Sequence, residues 1–151
     1  MGSEMCIRDS LWAIRHTSVV EIDRAGILPA TFSAMADAVY SLADLLAKQH
    51  NSQLSMVLID GNLLPPLDVP CQAVISGDSR SLSIAAASVL AKVARDEVMC
   101  NLANAYPDYG WQTNAGYGTK SHQNALQEFG VTPHHRKSFA PIKNLLKIGP
   151  R

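Results

Sequence analysis

Cysteine is scarce in this chain, and the three that occur, Cys6, Cys71 and Cys100, do not have the spacing of metal ligands. An odd number of widely separated thiols is typical of free cysteines in a reducing compartment, so we expect a cytoplasmic location. Apolar runs of membrane-spanning length are also lacking, and no stretch has the pattern of a secretory signal. We therefore expect neither a disulfide framework nor a membrane protein.

Net charge is lacking as well, since 13 basic residues balance 13 acidic ones, and this argues against a general nucleic-acid binder. The balance is uneven along the chain. The segment from Thr132 to Arg151 contains no acidic residue and five basic ones, Arg136, Lys137, Lys143, Lys147 and Arg151. Taken alone, this segment is interpreted as a solubilising tail. The total of 151 residues predicts one domain with a real core.

The first ten residues, Met1 to Ser10, are interpreted as a non-native scar. The run Met5-Cys6-Ile7-Arg8-Asp9-Ser10 back-translates readily to a transposon adaptor used in sequencing libraries. The alternative is a natural disordered N-terminus, and the coding DNA decides between the two. We exclude this segment from the prediction of the fold.

A stretch from Ile75 to Asp96 predicts a strand, a polar turn and a helix. The strand is predicted at Ala73 to Ile75, the turn contains Asp78, and serines before the helix are suited to its N-cap. Apolar residues at helical spacing predict a buried face, made by Leu82, Ala85, Ala86, Val89, Leu90 and Val93. Asp78 either caps this helix or binds a ligand at the end of the strand.

The run from Met56 to Asn62 predicts a second strand, buried on both faces because it is continuously apolar. Asp60 follows the apolar residues and would emerge at the carboxyl end of this strand. If the two strands are parallel neighbours, Asp60 and Asp78 lie together, and like charges at that distance require a cation between them. Ligands that are all oxygen favour Mg²⁺ or Mn²⁺.

Other elements follow from local patterns. Alternating residues from Leu11 to Val20 indicate a strand, Glu21 and Asp23 are assigned to solvent or capping, and Gly26 and Pro29 are predicted breakers. The clearest helix runs from Thr31 to His50. Its core stripe is Phe32, Met35, Ala36, Val39, Leu42, Ala43 and Leu46.

In the last third of the chain we expect the long helix to end near Ala105 and a tight turn to hold Tyr117 between Gly116 and Gly118. Two further helices are predicted, from Thr119 to Phe129 and from Pro141 to Lys147. A prolyl loop, residues 63–70, lies between the two predicted strands.

Several motifs occur together in one order. They are Leu58-Ile59-Asp60-Gly61-Asn62, Gly77-Asp78-Ser79-Arg80-Ser81 with the helix to Asp96, Gly116-Tyr117-Gly118-Thr119-Lys120-Ser121-His122, and His134-His135-Arg136-Lys137-Ser138-Phe139. This combination resembles ribonuclease HII (type 2 ribonuclease H) over roughly residues 12 to 147. The resemblance implies an α/β, ribonuclease H-like catalytic domain at 11–130, here incomplete because its first strands are missing. C-terminal helices and a basic segment at 131–151 complete the predicted organisation.

The resemblance implies an endonuclease that hydrolyses the RNA strand of RNA–DNA hybrids and nicks 5′ of single ribonucleotides in duplex DNA. Two-metal catalysis with Mg²⁺ or Mn²⁺ is implied, with Asp60 and Asp78 as catalytic residues and metal ligands. Tyr117 would stack on the sugar and sense the 2′-OH, with packing as the alternative. Candidate phosphate contacts are Ser88, Lys92 and Arg136, with packing or surface charge as the alternative. The intact family implies a monomer.

The N-terminal Asp-Glu-x-Gly-Arg-Gly motif of that family is absent from this sequence. We therefore expect weak metal binding, no nicking by this polypeptide alone, and marginal stability from an unpaired sheet edge. One alternative is a non-catalytic remnant that binds RNA–DNA hybrids, and another is a different metal-dependent nuclease. Three histidines, His122, His134 and His135, are not assigned to metal.

Overall fold

The structure, a computed structural model, describes residues 10–148, and the elements below belong to that range. They form a mixed α/β chain with a small parallel sheet. The helices are α1 (Val19–Ala25), α2 (Ile27–His50), α3 (Leu82–Ala105), α4 (Trp111–Asn114), α5 (Lys120–Phe129) and α6 (Ala140–Ile148); the strands are β1 (Val57–Asp60) and β2 (Cys71–Val74). Two 3₁₀ turns cover Gly77–Ser79 and Pro107–Tyr109. None of the described helices combines the length and apolar character needed to cross a membrane.

The chain forms two compact units, which we name by their contents. The strand unit contains the described residues 10–17 and 28–89, with most of α2 and both strands. The aromatic unit contains residues 18–27 and the described residues from 90 onward, with α1, α4, α5 and α6. Helix α3 contributes residues to both units. The proposed scar lies outside the described residues except for Ser10.

The predicted strand at Leu11 to Val20 is wrong. Residues 11–18 have no regular structure, and α1 begins at Val19. A capping box explains this start, because the Glu21 N–H donates to Ser18 Oγ at 3.2 Å and the Ser18 N–H donates to Glu21 Oε2 at 3.1 Å. The hydrogen bonds that the Ser18 N–H and then the Ser18 hydroxyl donate to the Glu21 carboxylate lower the pKa of this group. The capping assignment of Glu21 is confirmed.

Helix α2 begins at Ile27, four residues before the predicted start at Thr31. Pro29 was expected to break the chain but is the third helical residue, where its missing N–H has no intrahelical partner to lose. Gly26, with φ of 91°, does end the preceding helix as expected. The predicted core stripe of α2 is half-buried along its length, and Ala30 is the buried residue of this helix.

Strands β1 and β2 pair in parallel, with Val57 opposite Cys71 and Asp60 opposite Val74. The parallel pairing is confirmed, although β2 begins two residues earlier than predicted. Burial of β1 on both faces is wrong, because Ile59 is 7% exposed and its neighbour Leu58 is 40% exposed. Successive side chains of a strand point to opposite faces, so only the Ile59 face of β1 is covered.

The bounds of α3 agree with the prediction, but the predicted buried face does not. Leu82 is 87% exposed, and Val89 and Val93 are each 60% exposed. The buried residue at this end of the helix is Ile84, which the pattern did not select. The sheet of the described residues has two strands, and these apolar side chains of α3 are exposed.

The aromatic unit has a continuous core. Its buried hydrophobic residues are Ala103, Tyr109, Trp111, Ala125, Leu126 and Ile142. The ring planes of Tyr109 and Trp111 stack with centroids 5.2 Å apart. Helix α5 places Ala125 and Leu126 in this core, and Thr119 caps the helix by accepting from the His122 N–H at 3.3 Å. The predicted helices α5 and α6 are confirmed, and each of their ends lies within one residue of the predicted position.

Asp23 of α1 closes the aromatic unit. Its carboxylate accepts from the Lys137 N–H at 2.8 Å, from the Ser138 N–H at 3.0 Å and from the Ser138 hydroxyl at 2.6 Å. The hydrogen bonds from Ser138 lower the pKa of Asp23. Asp23 was predicted to face solvent or to cap a helix. Its contact with a segment far along the chain was not predicted.

Candidate functional site

The strand unit brings two carboxylates to one edge of the sheet. Asp60 is the last residue of β1, and Asp78 lies in the 3₁₀ turn that follows β2. Asp60 Oδ1 accepts from the Gly77 N–H at 2.7 Å, so the residue beside Asp78 is bonded directly to Asp60. Asp78 Oδ1 accepts from the Ser79 N–H at 2.9 Å. Both carboxylates are exposed, which leaves oxygen atoms accessible to a ligand.

Gly77 makes this arrangement possible, and sequence analysis did not single it out. A Cβ atom at this buried position would lie 2.6 Å from Ile84 Cδ1 and 3.1 Å from Asp60 Oδ1. The backbone N–H could then not approach the carboxylate without displacing one of these side chains. A glycine placed directly before Asp78, at a strand-to-helix turn, is the signal that could have identified it.

The oxygen atoms of Asp60 and Asp78 suit a hard cation such as Mg²⁺ or Mn²⁺. Within residues 10–148, however, no group of three or more histidine, cysteine, aspartate or glutamate side chains is placed to hold a metal ion. Asp60 and Asp78 therefore offer carboxylate oxygens of the kind that such a cation accepts, and their role as metal ligands stays a prediction. Cys71 and Cys100 are free thiols, and Cys6 lies outside the described residues.

Tyr117 lies on a loop that its neighbours fix in place. Its N–H donates to the Asn114 carbonyl at 2.8 Å, and the buried Asn114 side chain accepts from the Gly116 N–H at 2.9 Å. The amide group of Asn114 also donates to the Tyr109 carbonyl at 2.8 Å. Ala115 and Gly116 have φ of 45° and 79°. The loop is thus anchored to the aromatic core, while the Tyr117 side chain is 68% exposed.

The three proposed phosphate contacts have partners inside the chain. The Ser88 hydroxyl donates to the Ala85 carbonyl at 2.8 Å, within its own helix. The Lys92 ammonium forms an ion pair with Asp96 one turn along α3. The Arg136 guanidinium lies over the Phe139 ring, 4.9 Å from its centroid. Ser88 belongs to the strand unit and the other two to the aromatic unit.

His122 and His135 belong to the aromatic core and are stacked with centroids 5.3 Å apart. The Thr132 N–H donates to His135 Nδ1 at 3.1 Å, so the proton of neutral His135 is on Nε2. That proton points to His122 Nε2 at 3.3 Å, and His122 Nδ1 then donates to the Tyr109 carbonyl at 3.1 Å. Burial, with the neighbouring His122, lowers the pKa of His135 to about 4. These two histidines form a hydrogen-bonded pair in the core.

Comparison with known proteins identifies the lineage. A family model described as Ribonuclease HII matches residues 13–142. Ribonuclease HII of Paracoccus denitrificans is 52% identical over 136 residues, which is 89% of this chain and 61% of that protein. Ribonuclease HII of Rhodospirillum rubrum is 55% identical over 131 residues, which is 87% of this chain and 56% of that protein. The chain belongs to the ribonuclease HII family.

The resemblance found in the sequence motifs is therefore confirmed. The chain spans 61% and 56% of the length of these two curated relatives. The mixed α/β structure with a parallel sheet is consistent with a ribonuclease H-like family.

Proposed function

We propose that this chain carries part of the active site of an endonuclease that hydrolyses the RNA strand of RNA–DNA hybrids. The same site would nick duplex DNA 5′ of a single ribonucleotide, the step that opens ribonucleotide excision repair. Membership of the ribonuclease HII family supports this substrate class. The observation that carries the proposal is the hydrogen bond from the Gly77 N–H to Asp60. Gly77 directly precedes Asp78, so this bond brings the two aspartates to the same edge of the sheet.

Asp60 and Asp78 are the proposed catalytic residues and metal ligands. Bound Mg²⁺ or Mn²⁺ would supply positive charge where negative charge develops on the phosphate during hydrolysis. The Gly77 N–H holds Asp60 in one orientation and occupies one position of Oδ1, so other lone pairs of the carboxylate stay available. Gly77 is thus a positioning residue for this edge.

Tyr117 is proposed to stack on the sugar of the ribonucleotide, because it presents an exposed ring on an anchored loop. The 2′-OH distinguishes RNA from DNA at such a contact. Ser88, Lys92 and Arg136 are the proposed phosphate contacts. The ion pair of Lys92 with Asp96 does not oppose this role, since an exposed pair at i, i+4 contributes only about 0.3–0.5 kcal/mol and a phosphate can replace the carboxylate.

We further propose that this polypeptide binds its substrate but does not nick it. Two carboxylates hold a metal pair weakly, and the sequence has no Asp-Glu-x-Gly-Arg-Gly motif to supply more. On this proposal the chain alone acts as a binding module for RNA–DNA hybrids. Its natural location would be the cytoplasm, and its natural state a monomer.

The test combines a gain of activity with matched losses. The chain is incubated with Mg²⁺ or Mn²⁺ and a duplex containing one ribonucleotide, and we expect binding by fluorescence anisotropy without nicking. A fusion protein that places an Asp-Glu-x-Gly-Arg-Gly segment before Leu11 is expected to nick. In that protein Asp60→Asn and Asp78→Asn should abolish nicking, whereas Asp37→Asn, an exposed carboxylate of α2, should not.

Each result is decisive. Nicking by the unmodified chain refutes its proposed inactivity. Nicking that survives Asp60→Asn or Asp78→Asn refutes the carboxylate edge as the catalytic site. Equal cleavage of a duplex without any ribonucleotide favours the alternative of a different metal-dependent nuclease. Failure of the chain to bind either duplex refutes the binding module.

A further inference from the structure

The exposed ring of Tyr117 has a charged neighbour in the same unit. The Arg95 guanidinium, with Cζ 5.3 Å from the ring centroid, lies over one face of the ring. This distance is within the range of about 6 Å in which a cation is attracted to an aromatic face. Since the residue is still 68% exposed, most of the opposite face is open to solvent. One face of the ring is therefore supported and the other is available.

Arg95 is itself held in position. It lies on α3, and its Nη2 donates to the Ala115 carbonyl at 2.5 Å. Its Nη1 lies 4.0 Å from a carboxylate oxygen of Asp96. The planar guanidinium thus binds the backbone of the tyrosine loop and covers the tyrosine ring at the same time. An arginine can do both because its donors are arranged in a rigid plane.

The backbone on either side of Tyr117 is also fixed. The Tyr117 carbonyl accepts from the Thr119 N–H at 2.8 Å, and a Cβ atom at Gly116 would lie 3.2 Å from Met99 Cε of α3. With the backbone fixed, the orientation of the ring depends on rotation about its side-chain bonds. An exposed aromatic side chain otherwise exchanges between rotamers on a fast timescale. The Arg95 guanidinium contacts one face of this ring and can oppose such rotation.

We propose that Arg95 is a positioning residue, whose guanidinium holds the Tyr117 ring with its open face toward the sugar of a ribonucleotide. This inference rests on the proposed function of Tyr117. Holding the ring before binding lowers the cost of ordering it during binding, and that gain is largest for the substrate that needs the stacked orientation. Arg95 therefore contributes to discrimination between ribonucleotide and deoxyribonucleotide without contacting the 2′-OH.

The experiment is a double-mutant cycle on binding by the full 151-residue chain. Affinity is measured by fluorescence anisotropy in EDTA for two duplexes, one with a single ribonucleotide and one all DNA. Variants are Arg95→Met, Arg95→Lys, Tyr117→Ala and Arg95→Met with Tyr117→Ala. Arg24→Met, which removes one exposed arginine from the same unit, is the matched control for lost charge.

We expect Arg95→Met to lower the preference for the ribonucleotide duplex about two- to fivefold, the range of a surface cation–π contact. Arg95→Lys should restore part of this preference, because it keeps the cation. In the Tyr117→Ala background, Arg95→Met should have no further effect on the preference. Arg24→Met should lower the affinity for both duplexes equally or not at all.

Other outcomes separate the inference from the proposed function. If Tyr117→Ala keeps the full preference, the proposed role of Tyr117 fails. If Tyr117→Ala loses the preference and Arg95→Met does not, only the Arg95 inference is overturned. An equal loss for both duplexes that persists without Tyr117 identifies Arg95 as a phosphate contact and also overturns it. In the unsubstituted chain, absence of nuclear Overhauser effects between Arg95 and the Tyr117 ring overturns it independently of any variant.

Discussion

The aromatic unit and the strand unit differ in how many hydrophobic side chains they bury. In the aromatic unit six hydrophobic residues form one buried cluster, with Tyr109 and Trp111 at 5% and 3% exposure. In the strand unit the described hydrophobic residues that reach this degree of burial are Ala30, Ile59 and Ile84. Apolar burial is the main favourable term in folding, so we infer that most of the stability resides in the aromatic unit.

The residues of the proposed site are divided between the same two units. The unit with the larger core presents Tyr117 on a loop bonded to buried Asn114. The unit with the smaller core presents Asp60 and Asp78 on an exposed edge. Segments with few buried apolar contacts are those that open locally at low free-energy cost. We therefore expect the carboxylate edge to be less rigid than the tyrosine loop.

The comparison is tested most strongly by truncating one tryptophan in each unit. Trp111→Ala removes a ring that is 3% exposed and should lower the free energy of unfolding by about 3–5 kcal/mol. Trp12→Ala removes a ring that is 61% exposed and should change it by less than about 1 kcal/mol. Urea unfolding followed by far-ultraviolet circular dichroism measures both. Equal effects would contradict the assignment of stability to the aromatic unit.

The second test uses pH. Burial lowers the pKa of His135 to about 4 from its ordinary 6.5, so the folded chain binds fewer protons than the unfolded one. The contribution of His135 to stability is complete above pH 6.5 and falls as the pH decreases toward 4. The expected slope is at most about 1.4 kcal/mol per pH unit.

Tryptophan emission reports this effect in each unit separately. Trp12→Phe leaves Trp111 as the reporter of the aromatic unit, and Trp111→Phe leaves Trp12 as the reporter of the strand unit. We expect the urea midpoint reported by Trp111 to decrease as the pH is lowered from 7 to 5. The substitution His135→Asn should make this midpoint less dependent on pH. Identical pH dependence at both reporters would show that the units unfold together.

The third and smallest test addresses the strand unit. Gly77→Ala places a Cβ atom 2.6 Å from Ile84 Cδ1, and overpacking of this kind costs about 1–3 kcal/mol. Gly118→Ala is the matched control, because nothing lies within 4 Å of its Cβ position. Thermal unfolding should show destabilisation by Gly77→Ala alone. If Gly118→Ala destabilises equally, the effect comes from glycine replacement in general.

Regular elements could be predicted where local pattern and packing agree. Helix α5 was predicted from Thr119 to Phe129, and it runs from Lys120 to Phe129 with Thr119 as its N-cap. The strand ending at Asp60 followed from a short apolar run bounded by Gly61. In these elements the local pattern identified the element, although only the Ile59 face of β1 is buried.

The predictions were wrong where a local hydrogen bond determined the secondary structure, or where no other described element packs on an apolar face. The Ser18–Glu21 capping box started a helix in a stretch whose alternation indicated a strand. The apolar face of α3 was predicted to be buried, but burial depends on what covers a face, and Leu82 remains 87% exposed. Periodicity identifies which residues share a face and does not show whether a partner is present.

The charged and aromatic residues of the candidate site could be predicted from the sequence. The residues that hold them in position could not. Asp60, Asp78 and Tyr117 were chosen from strand ends and a glycine-flanked turn, and their roles stay predictions. Gly77 acts through its backbone N–H, and Asn114 acts through side-chain hydrogen bonds to the backbone of Gly116 and Tyr109. Such contacts have no periodic signature in the sequence. The hydrogen bond between His122 and His135 joins residues 13 apart in the sequence, and only the folded structure shows it.

The contact of Asp23 with Lys137 and Ser138 constrains the order in which the two units can form during synthesis. Asp23 precedes these partners by 114 and 115 residues, so this closing contact of the aromatic unit forms only after Ser138 has been synthesised. Strands β1 and β2 lie much closer in sequence and can pair earlier in synthesis. The unit with the larger core is therefore the later of the two to be completed.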